Sequence, residues 1–162
     1  MKFLIFIIMS LSTLNANTSL IDIKKFSGLW YEIARIDNSF QTSCVASSVE
    51  YILEDDKYDV YNRCFDSTFD GKLIEYNGSA TLENNRLKMR YFLFFTAQYN
   101  IEYTNNYKTA LVVNDDYSNA WIMSRTPSID KKELNKILKL IENKIDKSKL
   151  IFTKLHPKGK YK

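Results

Sequence analysis

The chain has little of what most enzyme mechanisms use. Its 162 residues include one histidine, His156, which lies near the C-terminus beside Pro157. A histidine-based triad has that single candidate base, and no Gly-x-Ser-x-Gly segment offers a nucleophile for it. Clusters of Cys and His at metal-ligand spacing are absent, as are Cys-x-x-Cys and any glycine-rich loop after a strand pattern. These absences exclude the familiar zinc, dithiol and phosphate-cradling motifs. No metal and no cofactor is expected. His156 itself reads as an exposed member of a frayed tail over residues 156–162.

Punctuation is also scarce. Four glycines and two prolines are spread along the chain, with no linker or low-complexity stretch to divide it, so one domain is expected. The apolar run Phe3 to Leu11 is too short for a membrane span, which needs about 18 residues. With Lys2 before it and Ala16 behind it, the run reads as an export signal cleaved after Ala16. That leaves 17–162 as a single domain. No cysteine stands beside the cut, so a lipid anchor is not expected, and the mature protein is placed in the periplasm or outside the cell. The net charge of +4 is mild, and much of it sits in the Lys-rich segment 131–162. A solvated helix face accounts for it, with contact at an anionic membrane surface as the second reading. No basic motif sits on a reading helix, so no nucleic-acid partner is expected.

What the chain does have is aromatic residues, 14% of the total, which suit pleated strands and apolar cavity walls. Short apolar or alternating runs recur at even spacing. Strands are predicted at 28–36, 46–53, 58–64, 73–82, 86–93, 98–103, 109–113 and 119–124. The breakers between them are Asp55-Asp56, Asp70-Gly71, Asn84-Asn85, Asn105-Asn106 and Asn114-Asp115-Asp116, residues that bond their own backbone or tolerate positive φ. Alternation is clear: Tyr58, Val60 and Asn62 share one face, as do Tyr76, Gly78 and Ala80, and Leu87, Met89 and Tyr91. Eight strands with short links predict an all-β, up-and-down antiparallel barrel. After Pro127 the period changes. Leu134, Ile137, Leu138, Ile141 and Ile145 follow helical spacing, with Ser128 or Asp130 as the cap and Glu133 three residues after Asp130. This C-terminal helix is expected on the outside of the barrel, and 150–153 is read as a short last strand.

The two cysteines, Cys44 and Cys64, form an even count in an exported chain, which implies a disulfide. The register is awkward. A turn centred on Asp55-Asp56 puts Cys64 opposite Ser47, three residues or about 10 Å from Cys44. Bridged Cα atoms lie about 5.5–6 Å apart, so the bridge requires a bulge or fold-back near Val45.

Two motifs about ninety residues apart carry a family resemblance. Gly28-Leu29-Trp30-Tyr31-Glu32 opens the first predicted strand, and Ser124-Arg125-Thr126-Pro127 closes the last. A guanidinium stacks well on an indole, and a barrel closing first strand to last brings the two together. The pair resembles the lipocalins, whose barrel base is closed by an Arg over a Trp. Trp30 to Arg35 and Trp121 to Pro127 are similar to the motifs of the bacterial lipocalin and apolipoprotein D-like branch. Asn62-Arg63-Cys64 also matches a third-strand ending of that branch, in favour of the disulfide. The family's turn before the seventh strand is degraded here to Asn105-Asn106-Tyr107-Lys108. The resemblance implies a ligand cavity walled by Tyr51, Asn62, Tyr99 and Trp121. Strand parity adds Val60, Tyr76, Met89, Tyr91, Ile101 and Met123.

An eight-stranded barrel holds one small guest. The expected function is therefore non-covalent binding of a fatty acid, lysophospholipid or similar apolar molecule, for lipid transport or storage, by a monomer or homodimer. The chain is not expected to be an enzyme. Two other classes stay open: a lipocalin-type enzyme using Glu32, which shares a strand face with Trp30, and a protein-interaction module on the same barrel.

Overall fold

The structure, a computed structural model, describes residues 20–161 except 93, 157, 159 and 160. The segment read as an export signal lies outside the described residues. A short helix α1 (Ile23–Phe26) precedes the strands β1 (Gly28–Ile36), β2 (Cys44–Glu54), β3 (Lys57–Asp66) and β4 (Leu73–Glu83). They are followed by β5 (Arg86–Tyr91), β6 (Phe95–Asn105), β7 (Thr109–Val113), β8 (Ala120–Ser124), α2 (Lys131–Leu140) and β9 (Leu150–Phe152). Each of the first seven strands pairs antiparallel with the next, and β1 pairs with both β8 and β2, so the sheet closes on itself. Closure leaves no long open edge among the eight. β9 pairs with the last residues of β1.

The turn residues do what their chemistry allows. Asp55, Asn84, Asn85 and Asn106 all take positive φ, a region that Asn and Asp enter more readily than most residues. Strand 86–93 of the sequence reading ends earlier, at Tyr91, because Phe92 turns to φ 51°. Strand 98–103 is longer than expected at both ends.

Two apolar layers result. Inside the barrel, Phe26, Trp30, Tyr51, Tyr58, Val60, Leu87 and Ile101 form an aromatic-rich cluster. Outside it, Ile33, Ala34, Leu111 and Ile122 meet Ile137, Ile141 and Ile145. Asp130 caps α2 by accepting the N–H groups of Lys132 and Glu133 at 2.9 and 3.2 Å. Glu133 in turn accepts from Thr109 Oγ1 at 2.6 Å and from the Tyr103 hydroxyl at 3.0 Å, which docks the helix on β6 and β7. The helix is shorter than its apolar stripe. It stops at Leu140, yet Ile141 and Ile145 stay buried in the turns that follow. Fully burying such a side chain is worth about 1.5–3 kcal/mol.

The C-terminal segment corrects the reading of an exposed tail. His156 is only 7% exposed, its ring lies 5.1 Å from that of Phe69, and its Nδ1 accepts the Lys158 N–H at 2.9 Å. Tyr161 is buried as well, edge-on to Tyr31 at 4.5 Å. The segment is tied to the barrel by backbone: the Ala46 N–H donates to the Lys154 carbonyl at 2.7 Å, and the Thr153 N–H to Ile33 at 3.0 Å.

Candidate functional site: a hollow barrel closed at one end

The closed end is built around Trp30 and Arg125. The guanidinium carbon lies 3.8 Å from the indole centroid. Arg125 also donates to five carbonyl oxygens, of Lys25, Phe26, Ser27, Leu29 and Tyr107. Burial lowers its pKa to about 10, which leaves it charged at neutral pH. A cation on the last carbonyls of α1 suits their unpaired, electronegative state. Gly28 takes φ +94°, and a Cβ there would stand 3.2 Å from the Arg125 guanidinium. Phe26 fills the floor, 5.0 Å from the Trp30 ring and 5.4 Å from the Tyr51 ring. The Trp30 Nε1–H donates to the Phe26 carbonyl at 2.9 Å, and the Tyr58 hydroxyl to that of Ile23 at 2.6 Å. The degraded turn still serves this end: the Tyr107 hydroxyl accepts the Asp22 N–H at 2.9 Å. Helix α1 is absent from the sequence reading. Its signal was Asp22, whose side chain accepts from the N–H groups of Lys24 and Lys25.

Above the floor the barrel is hollow. A cavity of about 430 Å³ opens at the end opposite α1, within the range of about 300–1,000 Å³ usual for small-molecule sites. Tyr51, Asn62, Tyr76, Met89, Tyr91, Tyr99, Trp121 and Met123 line it. Val60 and Ile101 do not. They share the inward face but sit deeper, packed in the core at 0% and 4% exposure. Parity along a strand selects the face and says nothing of depth.

The ring hydroxyls shape the polarity of the wall. Burial raises the pKa of Tyr51, Tyr91 and Tyr99 above the usual phenol value, with the neighbouring Tyr99 adding to the rise at Tyr91. All three remain neutral donors well past neutral pH. Asn62 Nδ2 reaches the Tyr91 hydroxyl at 3.4 Å, and the Tyr99 and Trp121 rings meet edge-on at 5.0 Å.

A buried polar cluster at the cavity was missed in the sequence. Glu32 Oε1 accepts from Arg35 Nη1 at 2.8 Å and from Thr153 Oγ1, while Oε2 accepts from Gln41 Nε2 at 2.7 Å. Arg35 Nη2 donates to the Gln41 carbonyl at 2.8 Å. Gln41 Oε1 accepts from Trp121 Nε1 at 3.1 Å and from Asn38 Nδ2 at 2.9 Å. Residues 32 and 35 of a regular strand would face opposite ways. Here β1 pairs Glu32 with Met123 but Ala34 with Ile122, leaving Ile33 as an extra residue. This bulge returns Arg35 to the inner face, opposite Trp121.

A second bulge makes the disulfide. Val45 pairs with Phe65 and Ser48 with Arg63, so Ala46 and Ser47 together oppose Cys64. Ala46 takes φ 50°, and the Cys44 and Cys64 Cα atoms come to 5.3 Å in the bridged pair. The fold-back falls beside Val45, where the register required it.

A closed antiparallel barrel with a sealed floor and an apolar cavity above it defines a calyx for a small guest. The chain belongs to the lipocalin family: the model of a lipocalin-like domain matches residues 21–155. The outer membrane lipoprotein Blc of Escherichia coli is 34% identical over 116 residues, 67% of this chain and 64% of the relative. That of Vibrio cholerae is 29% identical over 139 residues, 81% of each chain. Among solved structures, insecticyanin of the tobacco hornworm superposes with a TM-score of 0.72 at 21% identity, covering 86% of this chain and 83% of that one. The fold and these relatives support binding of a small hydrophobic ligand in the barrel.

Proposed function

We propose that the protein binds a lipid-like molecule non-covalently in the barrel cavity, for lipid transport or storage outside the cytoplasm, and catalyses no reaction on it. The observation that carries this reading is the hollow itself, about 430 Å³ lined mainly by aromatic, aliphatic and sulfur-containing side chains. Such a wall gains about 25 cal/mol per Å² of apolar ligand surface that it takes from water. The Glu32 carboxylate is fully engaged by Arg35, Thr153 and Gln41, which argues against its use as a free general acid. The Cys44–Cys64 bridge suits an oxidising compartment, in keeping with the envelope location that the names of the Blc relatives state for those proteins. Contact with a lipid surface is supported at the mouth rather than at the Lys-rich helix: Phe40, Phe92 and Phe94 are 63%, 76% and 92% exposed.

The test is a titration followed by tryptophan emission. Trp121 lines the cavity, whereas Trp30 is sealed beneath Arg125. Emission should change as a lipid enters, and the change should vanish in Trp121→Phe while lipid displaces a fluorescent probe from both proteins. Absence of probe uptake by the folded protein would refute the reading.

A further inference from the structure

The charged groups around the cavity are arranged in a way that bears on which lipids enter. Granted that the cavity is the ligand site, we infer that it selects by the charge of the polar end: it accepts an ester, an alcohol or a protonated acid and discriminates against a carboxylate.

An ionised carboxylate leaving water needs a cation or a full set of donors. The ionisable groups on the wall are Glu32 from β1, Tyr51 from β2, Arg63 from β3, Tyr76 from β4, Tyr91 from β5 and Tyr99 from β6. From β7 and β8 the wall receives Val112, Trp121 and Met123, and from the β1–β2 loop it receives no charged side chain. Arg63 is the one cation among these described residues, and it is committed. Its Nη1 lies 2.7 Å from Glu50 Oε2 and its Nε 2.6 Å from Glu75 Oε2. Arg35, 3% exposed, has Nη1 on the Glu32 carboxylate and Nη2 on the Gln41 carbonyl; its Nε is buried without a partner, but Arg35 is not among the residues that line the cavity. The Trp121 Nε1–H is also taken, by Gln41.

The sign of the wall follows. Glu32 presents a carboxylate whose compensating charge sits on its far partner. A second carboxylate brought into the same cavity meets a carboxylate already paired with Arg35, and the one cation on the described wall, Arg63, is paired with Glu50 and Glu75. What the wall offers instead is a set of neutral hydroxyl donors on Tyr51, Tyr91 and Tyr99. A single phenol hydroxyl satisfies an ester or alcohol oxygen, which carries no charge to desolvate.

The experiment uses the full chain loaded with a neutral fluorescent probe, displaced in parallel by 1-dodecanol and by laurate, which have equal chain length. At about pH 8.5 laurate is ionised, being far above the usual carboxyl range, and dodecanol should compete about tenfold better or more. Lowering the pH to about 4.5 protonates much of the acid, and the ratio should approach one. Dodecanol, measured across the same range, reports any change in the protein itself. Equal competition at the higher pH, or a ratio that ignores pH, overturns the inference and leaves the cavity reading standing. Failure of both lipids against a probe that binds overturns the lipid reading as well. A second measurement uses Glu32→Gln, which leaves Arg35 without its carboxylate. Provided melting shows it folded, the ratio at the higher pH should move about tenfold toward laurate. An unmoved ratio in the folded variant counts against the charge argument.

Discussion

The two ends of the barrel use similar residues in opposite ways. At the closed end the polar tips of Arg125, Trp30 and Tyr58 are spent on the backbone. Arg125 donates to five carbonyls, Trp30 to Phe26 and Tyr58 to Ile23, and Trp30, Tyr58 and Phe26 are among the largest fully buried side chains. At the open end Tyr51, Tyr91, Tyr99 and Trp121 surround a space, and the charged pair Glu32–Arg35 is anchored to a loop and to Thr153 rather than packed into the floor. Aromatic rings stabilise a barrel when their edges are filled by neighbours and their polar atoms are bonded. The same rings form a binding wall when one face is left without a neighbour. The comparison teaches that stability and binding are separated along the barrel axis, so substitutions at the two ends should separate them in experiment.

The largest expected effect tests what holds the open end. Replacing Cys44 and Cys64 together by serine removes a bridge across a separation of 20 residues, which the chain-entropy estimate values at about 3 kcal/mol. Denaturant melts of reduced and oxidised protein should differ by a similar amount. Matching midpoints would mean that the strap formed by β9 and the C-terminal segment already holds the β2 bulge.

Next in size is Trp121→Arg. A cation on the wall must lose its water when an apolar guest enters, so affinity for dodecanol should fall about 100-fold, or about 2.7 kcal/mol, with a melting temperature near that of the parent. Retained dodecanol binding in a folded Trp121→Arg protein would move the site off this wall.

The closed end should show the reverse. Arg125→Ala deletes the stack and five hydrogen bonds and should cost about 2 kcal/mol of stability, with ligand affinity changed less than twofold or so. If calorimetry and titration instead report lost affinity at unchanged stability, the two ends are coupled and the comparison breaks.

The smallest effect is invisible at neutral pH. Burial raises the pKa of Tyr51 and Tyr58 above that of the unfolded chain. Below about pH 10 both states keep these protons. Above it the unfolded state releases protons that the folded state retains, so stability falls as pH rises. Phenolate absorbance of these two rings should therefore appear together with loss of the folded circular dichroism signal. Titration of all tyrosines near pH 10 in a still-folded protein would show that water reaches both rings.

Much of this molecule was legible in one dimension. Alternation in Tyr58-Val60-Asn62 and Leu87-Met89-Tyr91 placed these residues on the inner face, because side-chain direction in a strand is a local property with period two. Asp55, Asn84 and Asn85 marked their turns through their tolerance of positive φ. Trp30 and Arg125 were tied by topology, since closing the first strand on the last leaves them few places to be. The helical stripe after Pro127 found its layer from its period.

Only the tertiary structure decided the rest, and the reasons are physical. Val60 and Ile101 have the parity of cavity residues, but the floor beneath the cavity covers them, and depth is set by how α1 plugs the barrel. Arg35 enters the interior because a bulge at Ile33 resets the phase of β1, a choice made by its pairing with β8. His156 and Tyr161 are buried against Phe69 and Tyr31, in a segment held at the β2 bulge where the Ala46 N–H donates to the Lys154 carbonyl. A local pattern records which way each side chain points. Depth, phase resets and the fate of a terminal segment depend on partners distant in sequence, and these are chosen only when the barrel closes.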